Sequence, residues 1–218
     1  MTFSLIGRCP RTGQMGAVAV SSRMAVGART THCAAGVGAV ITQHRTDPRL
    51  GPRGLDLLRA GRSAQETIDA LVASTPQIQW RQIAALDAAG TTATYSGDRT
   101  PPDMSEVAAR DVCSVGNNLA NARATPAMLL AFQSDPVAPL AERLLCAAEA
   151  GLATGGERAP AGSGHLLVTE RHSFPLIDLR VDWHDRPVAA LRELWARFAP
   201  LAYDFVTRAI DPDNASMP

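Results

Sequence analysis

The chain has 218 residues, 46% of them hydrophobic and 19% charged, and its 21 basic and 21 acidic side chains balance to zero. Arginines scattered among acids exclude the basic stripe of a nucleic-acid binder, and no apolar run nears the roughly 18 residues of a membrane span. The opening MTFSLIGR lacks the charged and long apolar regions of a secretory signal, so the sequence reads as a cytoplasmic protein with no membrane partner.

Residues 2–8 (TFSLIGR) and 15–21 (MGAVAVS) are apolar, rich in strand formers and separated by a Pro/Gly turn, which predicts a hairpin. The run GVGAVITQ at 36–43 predicts a buried strand with small residues for close backbone approach. In 54–75 the period changes to helical, with Leu55, Leu58, Ile68, Leu71 and Val72 on one stripe. Gly61 breaks it, and Ser63 followed by Glu66 is a capping box that starts a second short helix. A second hairpin is expected over 81–97, turning at Asp87 to Gly90, and RDVCSVGNNLA reads as a strand running into a Gly-Asn turn. Two helices follow near 125–133 and 137–150, with Gly151 just past the second. GGERAPAGSG reads as a flexible loop, HLLVTE and LIDLRVD as strands, and Pro187 opens a long closing helix. Hairpins interrupted by helix pairs point to an α+β protein of antiparallel sheets with helices packed outside. One domain is expected over residues 1–210, with a flexible tail over 211–218.

Cys9, Cys33, Cys113 and Cys146 are widely spaced, which reads as reduced thiols, and the five histidines fall in separate segments without metal-ligand spacing. Neither a metal nor a cofactor is called for. All 21 basic side chains are arginine, so the chain's only amine is the one at its N-terminus.

The segments TGQMGAVAVSS, VGART, AGVGAVITQ, GPRGLDLLRAG, RQIAALDAAG, GNNLA, PLAERLLCAAEAGLATGGER and DLRVDWHDRPVAALREL carry a family resemblance. In this order, and over nearly the whole chain, they resemble the bacterial family known as domain of unknown function 1028. That family in turn resembles the N-terminal nucleophile hydrolases in fold, and GAVAVSSRMAVGA is similar to the second strand and turn of proteasome subunits. The resemblance implies a four-layer αββα sandwich of two antiparallel sheets. It also implies a homo-oligomer that hydrolyses a small amide, lactam or ureido bond. In this reading Thr2 becomes the nucleophile once Met1 is removed, with its own α-amine as proton acceptor near its ordinary pKa of about 7.7 to 8.0.

Around Thr2, the resemblance implies that Asn117 in GNN supplies an oxyanion donor and His32 a titrating partner. Ser21, Arg23, Gln43 and Arg180 would hold the substrate, and flanking arginines suit a carboxylate-bearing molecule. Ordinary structural roles stand beside each of these: a β-branched strand residue at Thr2, a core histidine at His32, turn chemistry at Asn117, a strand cap at Gln43, an ion pair at Arg180. A non-catalytic small-molecule-binding protein or an assembly subunit therefore remains the alternative. Two stretches depart from the family pattern, DRTPPDMSEVAARDVCSV and GGERAPAGSG, as does Gly164-His165.

Overall fold

A computed structural model describes residues 2–216, so the expected loss of Met1 and the end of the tail at 217–218 lie outside the described residues. The described strands are β1 (Thr2–Arg8), β2 (Met15–Ser21), β3 (Thr31–Ala34), β4 (Gly38–His44), β5 (Arg81–Asp87), β6 (Thr92–Ser96), β7 (Ser105–Ala109), β8 (Val112–Asn117), β9 (Ser163–Thr169) and β10 (Ile177–Val181). They form a six-stranded sheet in the order β10-β9-β2-β1-β8-β7 and a four-stranded sheet in the order β3-β4-β5-β6. Every pairing is antiparallel. The helices are α1 (Leu50–Arg59), α2 (Ala64–Ser74), α3 (Ala124–Gln133), α4 (Leu140–Ala153), α5 (Pro187–Phe198) and α6 (Ala202–Ile210).

Strand alternation assigns the layers, because successive side chains point to opposite faces. Phe3, Leu5, Val18 and Val20 of the large sheet pack with Met128, Phe132, Leu144 and Leu145 of α3 and α4. On the small sheet, Val40, Ile83 and Ala85 pack with Leu58, Ile68 and Leu71 of α1 and α2. The opposite faces of the two sheets meet through Ile6, Ala17, Ala39, Ile41, Ala84, Leu86, Cys113 and Val115. The result is a four-layer αββα sandwich, as the resemblance implied.

Local chemistry fixes several of these elements. The Ser63–Glu66 capping box forms at the start of α2. Asp87 organises the β5–β6 turn, where Oδ1 accepts from the N–H groups of Ala89 (3.0 Å) and Thr91 (2.9 Å) and Oδ2 from that of Ala64 (3.0 Å) at the head of α2. Gly151 lies inside α4 and not past its end; a Cβ there would come within 2.8 Å of Met128 Cγ and 3.1 Å of Phe3 Cδ2, so close packing of the helix on the sheet requires it. The closing helix breaks into α5 and α6 at a 3₁₀ turn over Ala199–Leu201, where Pro200 removes a helical N–H donor. Residues 212–214 form a short turn, and the Ser216 N–H donates to Asp204 Oδ1 at 3.1 Å.

Two strands were not legible in the sequence. β3 is only four residues long, and β7 is an edge strand with the half-exposed sequence SEVAA, within the stretch that departs from the family pattern. No described helix is long and apolar enough to cross a membrane.

Candidate functional site

The first strand is central, bonded to β2 on one side and β8 on the other, with Phe3 opposite Val20 and Thr2 opposite Asn117. By alternation Thr2, Ser4 and Ile6 face the small sheet. The layer they enter changes character along its length. It is apolar at Ile6, Ile41, Leu86 and Cys113, and becomes polar where β1 begins, at Thr2, Ser4, Ser21, Gln43, Gln82 and Asn117, all buried.

A continuous hydrogen-bond network satisfies this polar end, as burial of such groups demands. Ser4 Oγ donates to Gln43 Oε1 (2.8 Å), and Gln43 Nε2 donates to Gln82 Oε1 (2.7 Å) and to the Thr2 carbonyl (3.5 Å). Gln82 Oε1 also accepts from Asn117 Nδ2 (3.0 Å), while Gln82 Nε2 reaches Ser96 Oγ (3.0 Å) and the Gly116 carbonyl (3.2 Å). Thr2 Oγ1 donates to Ser21 Oγ at 3.4 Å, and Ser21 Oγ accepts from the Arg23 N–H at 3.1 Å. The turn after Asn117 uses Asn118, not Gly116, for its left-handed residue (φ 51°); Gly116 stays in the strand, where Leu119 leaves no room for a Cβ.

The structure therefore brings Thr2, Ser21, Gln43 and Asn117 together. Arg23 follows directly, its backbone pinned by Ser21 and by Ser163 Oγ, which donates to the Arg23 carbonyl at 2.5 Å, and its side chain is exposed. His32 lies elsewhere. It pairs with Val40 and turns its ring toward α1, where a Cβ on Gly51 would fall 2.0 Å from His32 Cδ2, so the small sheet stands between His32 and the Thr2 layer. Burial pushes its pKa down, and its Nε2 is buried without a hydrogen-bond partner. The alternation of a strand explains the separation: Thr31, one residue earlier, faces inward. Arg180 is also set apart. It is exposed on β10, opposite His165, which lies opposite Ala19, which lies opposite Ser4, so three strand spacings of about 4.8 Å separate it from β1.

Two groups that the sequence did not disclose complete the picture. Gln82 is the acceptor shared by Gln43 and Asn117. Its signal was its place in alternation with Ala84 and Leu86, but only the pairing of Gln43 with Gln82 puts the two amides side by side. Glu157 had no local signal, lying in a Gly-rich loop. It forms an isolated bridge with Leu119, two residues past Asn117, and both of its carboxylate oxygens accept from the Ser22 N–H at 3.1 Å. It is thereby tied to both strands that flank the head of β1. Burial raises its pKa to about 7, outweighing the Ser22 N–H and the Arg23 charge, which favour the ionised form.

A second polar line crosses the sheets at the β3–β9 edge. Thr31 Oγ1 lies 2.5 Å from His165 Nδ1, and His165 Nε2 lies 2.9 Å from Asp178 Oδ1. The hydrogen bond from His165 holds the Asp178 carboxyl below its ordinary pKa.

Architecture and site together define a four-layer αββα protein whose central strand starts with a hydroxyl residue in a buried polar network. The chain belongs to the family of unknown function DUF1028, whose model matches residues 2–191. It is similar to the crystal structure of protein SPO2555 from Silicibacter pomeroyi, of the same family, at 26% identity and a TM-score of 0.84, covering 91% of this chain and 89% of that one. The ancestral beta-subunit Anbu from Yersinia bercovieri matches at 11% identity and a TM-score of 0.41, covering 92% of this chain and 96% of that one. No curated protein matches the chain.

Proposed function

We propose that this chain is an N-terminal-nucleophile hydrolase of a small amide, lactam or ureido compound, with Thr2 as nucleophile after removal of Met1. The observation that carries this reading is the position of Thr2: it heads a central strand, its hydroxyl bonded to Ser21, at the polar end of the layer between the sheets. Thr2 Oγ1 adds to the carbonyl carbon of the scissile bond while its proton passes to the Thr2 α-amine. The resulting oxyanion is stabilised by N–H donors, a role this reading gives to Asn117, whose backbone pairs with that of Thr2. Collapse of the tetrahedral species breaks the C–N bond, and the α-ammonium returns its proton to the leaving nitrogen. Water then cleaves the acyl ester on Thr2, with the amine again as base. Glu157, through the Ser22 N–H and its bridge to Leu119, ties the residue after β2 to the turn after β8. A homo-oligomer working in the cytoplasm on a carboxylate-bearing substrate, with no cofactor, belongs to the same reading.

Intact mass reads whether Met1 is gone. Turnover of a panel of small amides and lactams should vanish in Thr2→Ala and survive in part in Thr2→Ser. Because the chain contains no lysine, acetylation with an amine-specific reagent modifies the N-terminus alone and should stop turnover as completely as Thr2→Ala. Full activity of the acetylated protein, or of Thr2→Ala, overturns the mechanism. A ligand-binding protein without catalysis is the second reading, favoured by the 6% exposure of Thr2; retention of Met1 would select it.

A further inference from the structure

Two residues beyond Gln43 and Gln82, at the rim of the same end of the sandwich, two guanidinium groups lie over one indole and a third stands beside them. Arg45 Cζ stands 4.1 Å from the centroid of the Trp80 ring and Arg99 Cζ 5.3 Å from it. Arg81 is held to the same place by donating from Nη1 to the Arg45 carbonyl. The backbone locks the three segments together: the Arg45 N–H donates to the Trp80 carbonyl (3.4 Å), the Arg99 N–H to the Gln79 carbonyl (3.0 Å), and His44 Nδ1 lies 2.8 Å from the Trp80 carbonyl.

Among the described residues no ion pair joins Arg45, Arg81 or Arg99 to a carboxylate, and what distinguishes them from other unpaired arginines is that Arg45 and Arg99 share one indole. Asp47, whose carboxyl feels the charge of Arg81, is already engaged by Arg49 at 2.7 Å. Arg81 Nε is buried with no hydrogen-bond partner, a donor left open in a site where buried donors are normally filled. Three like charges held together in a chain of zero net charge repel one another until an anion joins them.

We propose that Arg45 and Arg99, over Trp80, with Arg81 held against the Arg45 backbone, form a binding site for the carboxylate arm of a small organic acid. The placement of the reacting bond rests on the hydrolase reading above. Two residues of strand span about 7 Å, which sets the backbone of Arg45 that far along β4 from Gln43, the residue that donates to the Thr2 carbonyl. Guanidinium forks match carboxylate geometry, and the indole supplies an apolar wall for the methylenes between the two ends.

The test uses glutarate as probe and the full-length Thr2→Ala protein, so that binding is read without turnover. Glutarate should shift the Trp80 indole NMR signal saturably, the signal being assigned by its loss in Trp80→Phe. The double variant Arg45→Ala/Arg99→Ala should weaken glutarate at least about tenfold, and raising salt from about 20 to about 200 mM should weaken the parent protein's binding. Inorganic phosphate should bind more weakly than glutarate, since it lacks a chain to lie on the indole. Absence of saturable binding, an unchanged affinity in the double variant, or tighter binding of phosphate overturns the proposal. Glutarate binding through these arginines in a wild-type protein that hydrolyses no amide would instead overturn the hydrolase reading and leave this site standing.

Discussion

Replacing Glu157 by Gln should make the protein more stable at alkaline pH and leave it nearly unchanged in acid. In the folded state the Glu157 carboxyl titrates near 7, against an ordinary value of 4.5. Below pH 4.5 it is neutral whether the chain is folded or not, and burial costs it nothing as a charge. Between 4.5 and 7 the unfolded chain releases the proton while the folded chain keeps it, so stability falls as pH rises. Above 7 the full difference has accumulated, about 3 kcal/mol from a shift of this size. Glutamine never ionises, and its carbonyl oxygen can still accept the Ser22 N–H. Urea denaturation of wild type and variant at pH 4.5 and pH 8 isolates the effect, because ionisable groups that do not interact with Glu157 cancel in the difference. The variant should gain about 3 kcal/mol relative to wild type between the two pH values. A difference that does not change with pH would refute the claim that this carboxyl is buried at the head of β1.

Two further substitutions probe the packing and the network. Gly7→Ala should cost about 1–3 kcal/mol in chemical denaturation, because its Cβ would lie 2.4 Å from Phe132 Cζ, a ring already fixed by the Arg143 guanidinium 3.9 Å away. Gln82→Leu should cost more, about 3 kcal/mol or above, since it strands the buried Nδ2 of Asn117 and leaves Gln43 Nε2 only its long bond to the Thr2 carbonyl. Gln82→Glu, which keeps the shared acceptor oxygen, should recover part of that loss; equal destabilisation by Leu and Glu would mean that the network is not held through Gln82 Oε1.

The sequence alone carried the elements whose chemistry is local. Alternation and turn residues located β1, β2, β5 and β6, the Ser63–Glu66 box located α2, and the motifs in register pointed to the family and its layers. Thr2, Ser21, Gln43 and Asn117 were also singled out, each at the end of a strand and through the family resemblance, since strands buried on both faces show no inward face to count. What the sequence could not supply was the relation between strands far apart in the chain. One residue of alternation decides that Thr31 faces inward and His32 outward, and β3 is too short to show that period. Gln82 acquires its place only when β5 pairs with β4, which sets it beside Gln43 and above Asn117. Glu157 is the extreme case: a charged residue in a glycine-rich loop reads as solvated, and only the closing of that loop against Ser22 and Leu119 takes its carboxyl out of water. Hydrogen-bond partners and desolvation are properties of neighbours in space, and for these residues the neighbours come from segments that the chain brings together only when both sheets have formed.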